Sequence, residues 1–133
     1  MSQEHVDVVR QAWRAYAEGG LEAELAFHAP DAVYEDLPEM ADRASYRGPE
    51  GFIERNRQWR ESWEEFHSWP LEFIDAGDGF VLVPVATTLR GKGSRVPIES
   101  GHTWAYEVRD GKIVGDRAFR TKAEALEAFG LRE

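Results

Sequence analysis

The chain has 133 residues, enough for one domain with a buried core and too few for a (β/α)₈ barrel or for separate cofactor and substrate domains. It carries 16 Lys and Arg against 25 Asp and Glu, a net charge of −9 that opposes nonspecific binding to nucleic acid or to anionic membranes. It has no cysteine, which excludes disulfides, thiol nucleophiles and zinc–thiolate or iron–sulfur sites.

The apolar fraction of 42% predicts a globular chain rather than a disordered one. The longest apolar run, residues 80–86, is far short of a membrane span. Residues 1–5 lack the basic region and apolar core of a signal peptide, so a cytoplasmic protein is expected. No repeat or linker divides residues 1–133, which read as a single domain.

The first half has helical period. Val6, Val9, Trp13, Tyr16 and Ala17 form one stripe, with Ser2 as a cap and Gly19-Gly20 as the stop. Residues 21–28 predict a short second helix, ended before Pro30. Residues 31–36 read as a short strand and residues 37–48 as a polar loop. Pro49 suits a first helical position. Phe52, Asn56, Trp59, Trp63 and Phe66 then fall on one face of a third helix, with Glu61, Glu64 and Glu65 on its solvated side.

The period changes near Ser68. Residues 67–74, 80–90, 96–109 and 112–119 predict strands separated by glycine-rich turns, one of them the basic hairpin tip 90–95. Short connections imply an antiparallel meander. Thr121 starts a last helix through Ala125, Leu126 and Phe129, stopped by Gly130. Helices followed by strands give the class α+β. The expected form is a cone-shaped barrel: a strongly curved, mainly antiparallel sheet wrapped around three N-terminal helices, with a short C-terminal helix. Apolar residues of both parities at Val81, Leu82, Val83 and Val85 predict burial on both faces of that strand and hence a homodimer through the outer face.

The order of elements resembles the nuclear transport factor 2-like superfamily, and the local text resembles its SnoaL-like branch of small polyketide cyclases, near the ketosteroid isomerases. The matching stretches are Val8-Val9-Arg10-Gln11-Ala12-Trp13, residues 29–36, Tyr46-Arg47-Gly48-Pro49-Glu50-Gly51, His102-Thr103-Trp104, residues 109–114 and residues 124–131. They span nearly the whole chain. The fold hosts isomerases, cyclases, hydrolases and binding domains, so the resemblance specifies fold more sharply than function.

Three residues are candidates for chemistry. The resemblance places Asp36 where ketosteroid isomerases carry their general base, and a carboxylate beside an apolar cavity would have its charged form disfavoured. As a turn aspartate it would simply face water. His102 lies at or beside the place where those enzymes carry a second acid, and imidazole can also donate to an enolate. As a plain strand histidine it would be packed in the sheet.

Small polyketide cyclases carry a similar His and Asp on adjacent strands, the Asp as acid/base, which points to Asp116. A three-residue turn at Arg109-Asp110-Gly111 would put Trp104 opposite Asp116 and His102 opposite Ala118, all on one face. A two-residue turn would shift the register by one and turn Asp116 away. Asp116 could instead pair with Arg117 or Arg120 at the surface.

The isomerase tyrosine of the first helix is missing. Ala12 stands there, with Trp13 beside it and Tyr16 one turn on. Trp13, Tyr16, Tyr34, Trp59, Trp63 and Trp104 are the expected aromatic walls of a pocket for a flat apolar ligand, and equally good core residues. His5, His28 and His67 lack metal spacing, and Glu99 and His102 alternate to opposite faces of a strand. No metal and no cofactor is expected, and the expected partner is a small hydrophobic molecule.

Two functions follow. One is an isomerase or cyclase that moves a proton next to a carbonyl of a small cyclic substrate, with Asp36 or Asp116 as base and His102 on the oxyanion. The other is a non-catalytic dimeric module that holds an apolar ligand.

Overall fold

The first apolar stripe forms α1, Ser2–Glu24, which buries Val6, Val9 and Ala12. A computed structural model describes residues 2–35 and 44–131 of the chain. The Ser2 cap and Asp36 lie outside what is described. Gly20 kinks α1 with φ 81° and ψ −168°, values open to glycine. The expected second helix reduces to the turn after this kink and a 3₁₀ turn, Leu25–Phe27. It stops early because β1, His28–Glu35, is already paired at His28.

The end of the expected polar loop forms a short strand, β2, Ser45–Arg47, antiparallel to β1. Next comes α2, Gly48–Glu61, with Pro49 in its first turn. Phe52, Asn56 and Trp59 share its inward face as expected, but Trp63 and Phe66 lie beyond it. Trp63 sits in the connection and Phe66 on β3, Glu65–Pro70. Pairing of β3 with the next long strand overrides the helical period there. Glu61 therefore ends the helix, and Glu65 pairs with Arg90 at 2.9 Å instead of sharing a helix face with it.

The expected strand 67–74 is two pieces, β3 and β4, Ile74–Gly77, both antiparallel to β5, Phe80–Arg90. β6, Pro97–Arg109, and β7, Lys112–Phe119, follow. Thr121 caps α3, Lys122–Ala128, its hydroxyl accepting from the Glu124 amide at 3.0 Å. Among the described residues no helix is long and apolar enough to cross a membrane.

The sheet is mixed, because β1 runs parallel to β7. Its order is β2-β1-β7-β6-β5-β3, with β4 beside β5. Among the described residues this path does not close on itself, so the expected cone-shaped barrel is corrected to an open sheet. Two helices, not three, precede the long strands, and the third is C-terminal.

The β6–β7 turn has two residues, Asp110 and Gly111, both at positive φ (50° and 77°), not the expected three. A bulge then leaves Val114 unpaired: Val108 faces Ile113, but Glu107 faces Gly115. Tyr106 therefore opposes Asp116 and Trp104 opposes Ala118. The register differs from the expected one by two residues, which preserves the face. Asp116 keeps the side shared with Trp104 and His102.

That face carries the main core. Val81, Val83 and Val85 of β5 and Trp104, Tyr106 and Val108 of β6 pack with Val6, Val9 and Ala12 of α1. On the opposite face Leu82 and Ala105 meet Ala125 and Leu126 of α3. The two-sided burial of β5 at Leu82 is thus met within the chain, and does not itself require a second copy.

Gly115 sits where β1 closes on the bulge. A Cβ there would stand 2.7 Å from the Val33 carbonyl oxygen. Gly115→Ala must push β1 away from β7 and is expected to cost about 1–3 kcal/mol. An unchanged urea midpoint would contradict this.

Candidate functional site

The residues of α1 and α2 that face the sheet do not fill the space above β5 and β6. They leave a cavity of about 530 Å³, the size of a small-molecule site. Trp13 and Tyr16 enter from α1, Trp59 from α2, Trp63 from the connection after it, and Trp104 from β6. Trp59 and Trp104 are 5.6 Å apart between ring centroids. These are five of the six aromatic residues expected to line a pocket. The sixth, Tyr34, is sealed behind the wall with no exposed surface.

Arg55 is the residue that organises this wall. It falls three residues after Phe52 and four before Trp59, on the inward stripe of α2. Its Nη1 donates to Asp116 Oδ1 at 2.6 Å and to the Glu35 carbonyl at 3.0 Å, and its Nη2 donates to Asp116 Oδ2 at 3.0 Å. Both side chains are almost wholly buried, at 3% and 2% exposed. The guanidinium also lies 4.7 Å from the Trp59 ring centroid and 5.2 Å from that of Trp104. Burial pushes the Arg55 pKa down, but the Asp116 carboxylate outweighs it and holds the group above its ordinary value.

A second polar chain runs beside the first. His28 Nε2 is 2.8 Å from Glu24 Oε2, and His28 Nδ1 is 2.8 Å from Tyr34 Oη. Burial first, and then the Asp116 charge, push the Tyr34 phenol well above its ordinary range. It therefore stays protonated, and the phenol and the Glu24 carboxylate hold the imidazole by its two ring nitrogens. Glu24 itself lines the cavity, and its other oxygen is uncommitted among the described residues.

Of the residues expected to carry chemistry, Asp116 and His102 both line the cavity, from β7 and β6. Asp116 pairs with Arg55, not with Arg117 or Arg120. Glu99 borders the cavity too, at the exposed outer part of β6, although the ladder keeps it at opposite parity to His102. Trp69 lies outside the cavity, 46% exposed on the opposite sheet face. Arg55, Glu24 and His28 were not singled out as site residues from sequence. A charged residue inside the inward stripe signals Arg55, and the four-residue spacing of Glu24 and His28 signals the other pair.

Two outcomes test this arrangement. Removing one partner of a buried ion pair strands the other, so Asp116→Asn should lose about 3–5 kcal/mol of stability in urea. The joint change Arg55→Met with Asp116→Leu should lose clearly less. The second outcome concerns alkaline pH. Tyr106, like Tyr34, is held protonated, by burial and by the Glu24 and Asp116 charges. A pKa raised on folding stabilises fully below the unfolded value and is lost above it. Stability should hold to about pH 10 and then fall by about 2.7 kcal/mol per pH unit from the two phenols. Their ionisation, read by absorbance at 295 nm, should coincide with unfolding.

The model of the SnoaL-like domain matches residues 9–115. No curated protein matches the chain. Solved structures with the same fold include an NTF2-like protein of unknown function from Burkholderia pseudomallei, 20% identical, with TM-score 0.76 over 93% of this chain and 95% of that one. TerC, co-crystallised with polyporic acid, is 16% identical, with TM-score 0.73 over 96% and 98%. A protein of ketosteroid isomerase-like fold from Catenulispora acidiphila, in complex with trimethylamine, is 18% identical, with TM-score 0.68 over 94% and 93%. The match over residues 9–115 places the chain in the SnoaL-like domain family, and its fold is the one these proteins share.

Proposed function

We propose that this chain is an acid–base enzyme, an isomerase or cyclase that moves a proton next to a carbonyl of a small hydrophobic cyclic substrate. In this reading the sheet is one wall of a cone whose open end admits the substrate. The observation that carries it is Glu24: a carboxylate on an aromatic cavity, one oxygen fixed by buried His28 and the other uncommitted among the described residues. Of the bases expected from sequence, Asp36 lies outside the described residues. Asp116 has both oxygens accepting from Arg55, which suits an electrostatic anchor better than a proton acceptor.

The chemistry balances within the cavity. Glu24 takes a proton from the carbon beside the carbonyl; the C–H electron pair forms a C=C bond and the carbonyl π pair moves onto oxygen, giving an enolate. His102 donates a hydrogen bond to that oxygen. The proton returns from Glu24 to another carbon of the conjugated system, or the enolate carbon attacks a second carbonyl of the substrate to close a ring, and the new alkoxide oxygen takes the proton back from Glu24. Walls of Trp59, Trp63 and Trp104 exclude water and fix the plane of a flat ring.

Deuterium uptake from D₂O into a panel of cyclic ketones, followed by NMR, tests this directly. The chain should accelerate exchange of the protons beside the carbonyl. Glu24→Gln should remove about 10²-fold or more of that acceleration without unfolding the protein. Ketones that bind yet exchange no faster than in buffer would establish the binding module instead.

A further inference from the structure

Among the described residues two guanidinium groups face the cavity, and one of them has no counter-ion there. Arg55 is matched by Asp116. Arg60, in the last turn of α2, makes no ion pair among the described residues. Its Nη2 donates to Tyr16 Oη, its Nε is enclosed with no partner, and its Nη1 makes no hydrogen bond. The group is half-buried against two rings, with its central carbon 5.8 Å from the Tyr16 centroid and 5.3 Å from that of Phe66.

The acids around the cavity do not answer this charge. Asp116 is held by Arg55 and Glu24 by His28, and Glu99 on β6 is exposed and forms no ion pair with Arg60. In a chain with nine more acids than bases, an arginine on a cavity wall with no carboxylate partner among the described residues is an open electrostatic position. The α2 C-terminus favours a cation there but supplies no anion to match it.

We propose that the cavity selects ligands whose ring system carries a carboxylate, seated on Arg60. This rests on the reading above that the cavity takes a small cyclic molecule, and adds the charge class. The two rings hold the planar guanidinium and limit its motion, which presets a fork for a carboxylate. Arg60 lies five residues beyond Arg55, about 7.5 Å along the helix. A carboxylate held there is kept apart from Asp116, while the ring reaches back over Trp59 toward Glu24 and His102.

Four of the five tryptophans line the cavity, so fluorescence quenching of the full chain reports binding. The probes are 2-naphthoate and its neutral counterpart 2-naphthamide. Naphthoate should bind about tenfold or more tightly than naphthamide. Arg60→Gln should abolish that preference with naphthamide affinity changed less than about twofold, and Arg60→Lys should keep part of it. Should Arg60→Gln fail to fold, Arg60→Met gives the same neutral position with the apolar stem retained. Equal affinities in the parent chain, or a preference that survives loss of Arg60, would overturn the carboxylate proposal and leave the small-molecule reading standing. Failure of both probes to bind would overturn both.

Discussion

The buried pair of Arg55 and Asp116 is the constraint around which the site is built. An unpaired charge in so enclosed a place would be prohibitive, so the two must meet. Their meeting ties α2 to β7, and the bond from Arg55 to the Glu35 carbonyl adds the end of β1. Three elements far apart in sequence are fixed relative to one another by a single guanidinium. The planar fork also gives direction, because two parallel bonds allow little rotation. Trp59 and Trp104, which flank that guanidinium, are positioned by the same contact.

The pair can form only if Asp116 points to the α2 side of the sheet, and backbone features decide that. A two-residue Asp-Gly turn alone would have put Asp116 on the opposite face. The bulge at Val114 adds one residue and restores the parity. Gly115, next to the bulge, admits the Val33 carbonyl where a side chain would collide, so β1 can lie against β7. This brings Tyr34 opposite Asp116 and places the Glu24–His28–Tyr34 chain beside the ion pair.

Much of this was legible in the sequence, and the failures share a cause. Strands β5 and β7 and the Thr121 cap follow from local period and turn chemistry. So does the aromatic character of the cavity, with five of six expected rings on its wall. Trp63 and Phe66 were assigned to a helix because their spacing continues that of Phe52 and Trp59. Only the partner strand β5, distant in sequence, shows that the helix has ended. The β1–β7 pairing is likewise nonlocal and parallel, and the bulge leaves no composition signal. Arg55 gives no signal in the apolar period of α2, because the informative member of that stripe is its charged one.

The polar groups of the cavity divide into those that satisfy one another and those that do not. Arg55 with Asp116, and His28 with Tyr34, are matched pairs that hold shape, although Arg55 Nε is left without a partner among the described residues. Glu24 and Arg60 belong to the same framework by one atom each, through His28 and Tyr16, and are open on another. A group fixed on one side and open on the other needs little reorganisation when a ligand arrives, which is the condition for strong binding or proton transfer in a low-dielectric site. Both groups border the cavity that the tryptophans line, Glu24 from α1 and Arg60 from α2, so a ring seated there meets one group of each charge.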